Sequence, residues 1–99
     1  MRLTDLERQV IQQKVQQILG TAARVFLFGS RLDDRAKGGD IDLLIEVTEP
    51  VTNPAELAAK ISAQIMRALN GRKVDVLISA PNLTRLPIHQ IAAQQGICL

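Results

Sequence analysis

Three aspartates interrupt two strongly apolar segments of the chain, and this pattern constrains both fold and function. Asp40 and Asp42 begin the run DIDLLIEV, and Asp75 lies within KVDVLI. Since alternate side chains of a strand point to the same side, Asp40 and Asp42 share one face. Two carboxylates about 4 Å apart repel by roughly 4 kcal/mol at an effective dielectric constant near 20. A fold that gathers such groups is expected to use them for a cation. Oxygen ligands without nearby Cys or His favour magnesium or manganese over zinc.

A helix is predicted for residues 4–19. Thr4 and Glu7 have the spacing of a capping box, and Gly20 follows as a helix stop. The apolar residues of this helix spread over a broad arc, which can pack against a sheet and still leave apolar surface for a partner. The alternative, a helix that is completely buried by its own domain, is equally well supported. The apolar residues of the arc are Leu6, Val10, Ile11, Val15, Ile18 and Leu19.

Three short strands are predicted, at 24–28, at about 40–47 and at 73–78. The first two are separated by the polar, glycine-ended segment 31–39, so they are expected to be antiparallel neighbours. The second and third are joined by a helix, which allows a parallel pair through the usual right-handed crossover. The predicted fold is a single α/β (α+β) domain, 1–99, in which helices flank a small three-stranded mixed sheet.

The connecting helix is predicted to begin near Pro54 and to end at 70–71, which is Asn-Gly. Asn53 precedes the proline as a capping residue, and Glu56 is the reciprocal acid. One apolar stripe predicts the buried face of this helix. A last helix is predicted at 87–95. The stripe of the connecting helix consists of Leu57, Ile61, Ile65 and Leu69.

Composition argues against several functional classes. A net charge of +2 is too small for a protein that coats DNA, and two aromatic residues offer few stacking platforms for single strands. No apolar run approaches the length of about 20 residues that a membrane span needs. The N-terminus lacks the apolar core of a signal peptide. Cys98 is the only cysteine, which fits a reducing compartment. We therefore expect a cytoplasmic protein.

The predicted topology brings a glycine-serine pair next to the aspartates. If the first two strands are antiparallel, the end of the first lies beside the start of the second, and Gly29 and Ser30 lie beside Asp40 and Asp42. A glycine lets the backbone approach a ligand closely, and the serine offers a hydroxyl and an N–H to a phosphate. Phosphates and carboxylates bridged by divalent metal form a site for nucleotidyl transfer, in which two ions stabilise the attacking and leaving oxygens.

The segment FLFGSRLDDRAKGGDIDLLIEV, followed by KVDVLI, resembles the minimal nucleotidyltransferases of the DNA polymerase beta superfamily. The shared signature is Gly-Ser after a strand, a spacer, and Asp-x-Asp in the next strand. The spacer here has nine residues, 31–39, one fewer than in many relatives. The element order and the ending IAAQQGICL also look like that family, so the resemblance covers nearly the whole chain.

The resemblance implies a nucleotide site and the residues that form it. Gly29 and Ser30 would hold the β- and γ-phosphates of ATP, and Arg31 would lie near the triphosphate. Other cations of the loops are weaker candidates, because surface loops carry such charges anyway. These weaker candidates are Arg35, Lys37, Arg72 and Lys73.

The resemblance also implies a metal site. Asp40 and Asp42 would ligate two magnesium ions, and Asp75 would complete one metal site and act as general base on the incoming hydroxyl. For two of the three aspartates, a purely structural interpretation remains open. Asp40 could be a turn residue after the paired glycines, and Asp75 could instead form an ion pair with Lys73 or Arg72.

The resemblance implies that the protein is an enzyme, which moves AMP from ATP to a hydroxyl and releases pyrophosphate. Proteins of this kind pair with a HEPN-domain protein from a neighbouring gene. That partner is an RNase toxin, which the nucleotidyltransferase neutralises by attaching AMP to a tyrosine. The chain carries no acceptor domain in its 99 residues, which fits a substrate supplied in trans and a homo- or hetero-oligomer.

Two alternatives come from other classes. The same fold could bind a partner or a nucleotide without turnover, although the intact set of three aspartates argues against that. Modification of a small molecule, such as adenylylation of an aminoglycoside, would need an acceptor pocket that a chain of this length has little material to build.

Overall fold

The computed structural model describes residues 4–28, 41–83 and 96–99. The strands form one sheet in the order β3-β2-β1-β4. In that sheet β1 is antiparallel to both β2 and β4, and β2 is parallel to β3. The architecture is α+β, as the sequence predicted. The elements are α1 (Asp5–Leu19), β1 (Arg24–Phe28), β2 (Ile41–Glu46), α2 (Pro54–Ala68), β3 (Val74–Ser79) and β4 (Ile97–Cys98).

The three-stranded mixed core predicted from the sequence is confirmed, including both strand orientations. The short strand β4 was not predicted. It pairs with the middle of β1 through Phe26↔Cys98 and Leu27↔Ile97, and two residues are too few to carry a recognisable alternation. The helix predicted at 87–95 lies outside the described residues.

The start of α1 has the capping box that its sequence predicts. The Thr4 hydroxyl accepts a hydrogen bond from the Glu7 N–H at 3.1 Å, and a Glu7 carboxylate oxygen accepts from the Thr4 N–H at 3.0 Å. At the other end Gly20 has a φ of 79°, and its N–H donates to the Gln16 carbonyl at 2.9 Å. Glycine adopts a positive φ without steric cost, so the helix stops there.

The ends of α2 also follow from the local sequence. The Asn53 side chain accepts from the Glu56 N–H at 3.2 Å and donates to the Glu56 carboxylate at 2.9 Å. After the last turn Asn70 and Gly71 have φ values of 61° and 85°. Two successive left-handed residues reverse the chain toward β3, and asparagine is among the few non-glycine residues that tolerate this conformation.

Both helices pack on the same face of the sheet. Alternation in β2 sends Ile41, Leu43 and Ile45 into this layer, so Asp42 and Leu44 lie on the opposite face. Leu44 belongs to a second, smaller cluster with aromatic side chains of β1. The most deeply buried residues of the main core are Ile11, Val15, Leu27, Ile41, Leu43, Ile45, Ile61 and Ile65.

The apolar arc of α1 is used mainly by its own domain. Ile11 and Val15 are buried, and Val10, Ile18 and Leu19 are partly buried against the main core. Leu6 is the exception, with 70% of its surface exposed. Little of the arc therefore remains for a partner. Within the described part of the chain, no helix combines the length and the apolar character needed to cross a membrane.

An ion pair ties α1 to the segment that leads into β3. The Arg72 guanidinium donates to one carboxylate oxygen of Glu7, whose other oxygen accepts the capping hydrogen bond from Thr4. Both side chains are partly buried, with 31% of Arg72 and 16% of Glu7 exposed. Burial raises the pKa of Glu7, but the Thr4 backbone hydrogen bond and the Arg72 charge outweigh it and lower the pKa below its ordinary 4.5.

Replacing a buried residue of α2 should cost far more stability than replacing the exposed leucine of α1. Ile65→Ala removes a side chain that is 0% exposed, and we expect a loss of about 2–5 kcal/mol in the free energy of unfolding. Leu6→Ala should cost less than about 0.5 kcal/mol. Urea denaturation measures both values. Equal losses would contradict the assignment of the core.

The Glu7–Arg72 pair should make stability depend on pH in a defined direction. A carboxyl group whose pKa is lowered by folding stabilises the protein above its unfolded pKa and loses this contribution as the pH falls through the folded value. We expect Glu7→Gln to cost about 1 kcal/mol at pH 7, and the difference from wild type to disappear well below pH 4.5, the ordinary pKa. Urea denaturation at a series of pH values from 7 downward measures this difference in the free energy of unfolding.

Glu56→Gln is a matched control, since Glu56 has the corresponding capping position in α2 but contacts Asn53 instead of an arginine. It should cost less than Glu7→Gln at pH 7. A difference between wild type and Glu7→Gln that stayed constant down to acid pH would show that the charge of Glu7 contributes nothing.

Candidate active site

Asp42 and Asp75 are neighbours on the face of the sheet opposite the helices. They are Cα partners in the parallel β2–β3 ladder. On its other side Asp42 is the partner of Phe28, the last residue of β1. Adjacent strands lie about 4.8 Å apart. One row of residues therefore crosses three strands at this end of the sheet and carries two adjacent carboxylates.

The orientation of these carboxylates follows from the apolar residues on either side of them. Ile41 and Leu43 pack in the main core beneath the helices, and so do Val74 and Val76. Since side chains alternate along a strand, the residue between each apolar pair must point away from the helices. Asp42 is half-buried there and Asp75 is exposed. Solvent and a ligand can therefore reach Asp75 directly.

The chemistry of this pair fits a hard divalent cation. Two carboxylates about 5 Å apart repel by roughly 1 kcal/mol in water and roughly 3 kcal/mol at a dielectric constant of 20, and a bound cation removes this cost. Magnesium is commonly held by one or two carboxylates together with substrate phosphates. Within residues 4–28, 41–83 and 96–99, no group of three or more His, Cys, Asp or Glu could hold a metal ion. The described residues thus supply two carboxylates.

The other predicted site residues, Gly29, Ser30, Arg31 and Asp40, lie outside the described residues. The positions that flank this stretch are both described. Phe28 is in the row that contains Asp42, and Ile41 is the first residue of β2.

Arg72 has a different contact from those predicted. The sequence left open that it binds phosphate or pairs with Asp75, but its guanidinium binds Glu7. Sequence reasoning had no means of finding this pair, since 65 positions separate the two residues. The Asp75 side chain is exposed, and Arg72 is not its partner.

A cavity of about 450 Å³ lies at the opposite end of the sheet. Val47 and Val51, in the loop after β2, line it together with Leu57 of α2. The Asn82 side chain fixes this loop, because it donates to the Val51 carbonyl and accepts from the Val51 N–H, both at 2.8 Å. Val47 is roughly 16 Å from Asp42 along the strand, so this cavity is separate from the carboxylates.

Comparison with known proteins gives one match to a family and one to a solved structure. The family model of the nucleotidyltransferase domain matches residues 8–97. No curated protein matches the chain significantly. A chain in the crystal structure of a mutant form of the toxin-antitoxin MntA-HpeT has a similar fold, with a TM-score of 0.66 at 16% identity. The match covers 93% of this chain and 70% of that one.

These comparisons agree with the resemblance found in the sequence. The likeness to the solved structure, at its low identity, establishes the fold, and the family match spans the whole described sheet up to the start of β4. Asp42 and Asp75 both lie within the matched range. The chain belongs to the nucleotidyltransferase domain family.

Proposed function

We propose that this protein is a magnesium-dependent nucleotidyltransferase that moves AMP from ATP to a hydroxyl of a partner toxin and so acts as an antitoxin. Family membership supports the transferase activity. The observation that carries the assignment to particular residues is the register pairing of Asp42 with Asp75 on one face of the sheet. Two adjacent carboxylates at the end of three strands are what such a reaction needs to hold a cation beside phosphates.

In this proposal Asp40, Asp42 and Asp75 are the metal ligands, for two magnesium ions. Magnesium, when bound, neutralises phosphate charge and stabilises the attacking and leaving oxygens. Asp75 also accepts the proton of the incoming hydroxyl. Its exposure supports this second role, since a hydroxyl on another protein can reach an exposed carboxylate.

Gly29, Ser30 and Arg31 are proposed to bind the triphosphate of ATP. They follow Phe28 directly in the sequence, and Phe28 is the register partner of Asp42. The Ser30 hydroxyl donates one hydrogen bond to a phosphate oxygen, and the Arg31 guanidinium balances negative charge. Arg72 is left out of this group, because it is paired with Glu7.

The acceptor is proposed to be a tyrosine of a HEPN-domain toxin encoded by a neighbouring gene. The structural relative is a toxin-antitoxin complex, and its crystallised form carries two Asp-to-Glu substitutions two positions apart. Asp40 and Asp42 have this same spacing. The 450 Å³ cavity lies at the other end of the sheet from Asp42, which favours an acceptor presented by another protein over a small molecule bound by this chain.

Asp42→Asn should abolish magnesium-dependent transfer from ATP. We expect a loss of more than about a hundredfold, since even residues that only support a metal ligand cost 10–100-fold when replaced. The fold should remain as stable as wild type or become more stable, because the repulsion from Asp75 is relieved. Transfer of radioactive label measures the activity, and urea denaturation measures the stability.

Glu49→Gln is the control: it removes a carboxylate at the opposite end of the sheet and should leave transfer unchanged. Full activity of Asp42→Asn would refute the metal assignment.

Incubation with the product of the neighbouring gene tests the acceptor. With labelled ATP and magnesium, label should pass to that protein, and mass spectrometry should locate one or more AMP groups on a tyrosine. Chelation of the metal, or Tyr→Phe at the modified position of the partner, should stop the transfer. Failure to transfer label between two folded proteins would count against the proposed acceptor.

A further inference from the structure

The backbone just before Asp75 is held from two sides. The carbonyl of Lys73 accepts a hydrogen bond from the Ile41 N–H at 3.0 Å, which is the first rung between β3 and β2. The carbonyl of Val74 accepts from the hydroxyl of Ser62, on α2, at 2.5 Å. Among the described strands, β3 lies at the edge of the sheet, with β2 as its neighbour. The start of such a strand has one ladder to define its position, so contacts from outside the sheet matter more there.

The Glu7–Arg72 ion pair provides a third contact to the segment that precedes Asp75. Arg72 precedes Asp75 by three positions and follows the left-handed turn at 70–71. Its guanidinium reaches across to Glu7, whose carboxylate is held in turn by the N–H of Thr4 at the start of α1. A charge-assisted hydrogen bond of this kind is stronger than one between neutral groups, and the Glu7 carboxylate is additionally held by the Thr4 N–H. The segment 72–74 is thus connected to α1, β2 and α2.

We infer that Glu7 and Arg72 form a positioning pair, which sets Asp75 against Asp42 for binding of the divalent cation. This inference rests on the proposed function, because it takes both aspartates as ligands. Neither Glu7 nor Arg72 touches the cation in this scheme. Loss of either one removes this contact with α1, and the start of β3 is then positioned by its ladder to β2, the Ser62 hydrogen bond and the packing of Val74, so a small shift of this end relative to β2 becomes easier. Such a shift changes the separation of two carboxylates that must bind one ion.

A direct role of Arg72 in binding the triphosphate would give different mutational effects. If Arg72 bound phosphate, Arg72→Met would weaken nucleotide binding, and Glu7→Gln would release the guanidinium and leave binding unchanged or tighter. A positioning pair requires the same loss of metal affinity from both substitutions. It also requires that the double variant lose no more metal affinity than either single variant, because the two side chains act as a unit.

The test is the affinity of the full-length protein for Mn²⁺, measured by electron paramagnetic resonance with a non-hydrolysable ATP analogue. We expect Glu7→Gln, Arg72→Met and the double variant each to weaken Mn²⁺ binding by about tenfold, the lower end of the range for residues that support metal ligands. Affinity for the analogue without metal should not change. Arg72→Lys keeps the charge and should recover part of the loss.

Arg67→Met is the matched control, since Arg67 lies on α2 and donates to the Ala63 carbonyl instead of a carboxylate. It should bind Mn²⁺ as wild type does. Wild-type affinity in folded Glu7→Gln would overturn the positioning role and leave the proposed function intact. An equal loss in Arg67→Met would also overturn it, since a general charge effect would then suffice. If the wild type itself bound no Mn²⁺, the proposed metal site would fail, and the inference with it.

Discussion

The parallel register of β2 and β3 is the constraint on which the rest of this structure depends. It pairs Asp42 with Asp75 and at the same time pairs Ile41 with Val74 and Leu43 with Val76. A slip of one residue would turn Asp75 toward the helices, into a layer made of aliphatic side chains. Burial of an unpaired carboxylate costs several kcal/mol. The packing of the core therefore also determines where the two carboxylates lie.

The helices enforce this register from one side only. Ile61 and Ile65 of α2 and Ile11 and Val15 of α1 are buried against the same face of the sheet, and the two aspartates lie on the other face. Leu44 and Phe26 form a small apolar cluster on that other face. Asp42 lies next to this cluster and is half-buried, whereas Asp75 lies on the edge strand and is exposed. Two chemically identical groups thus have different surroundings.

Most helices and strands of the fold could be predicted because their signals are local. The capping residues of both helices, the left-handed stop at 70–71 and the apolar runs of the first three strands each act over a few positions. The family resemblance was also local, since it depended on short motifs at the ends of strands. The strand β4 and the ion pair of Arg72 with Glu7 could not be predicted in this way. The first is two residues long, and the second joins groups 65 positions apart.

The sequence by itself determined that Asp42 and Asp75 point away from the helix-packed core, because each lies between two aliphatic residues in a strand. It also determined the orientations of the first three strands, through the length and type of their connections. Only the tertiary structure decided that these two aspartates are direct register partners, and that Arg72 is held by α1. Register and ion pairing depend on how separate elements pack together, and a local pattern carries no information about the distance between them.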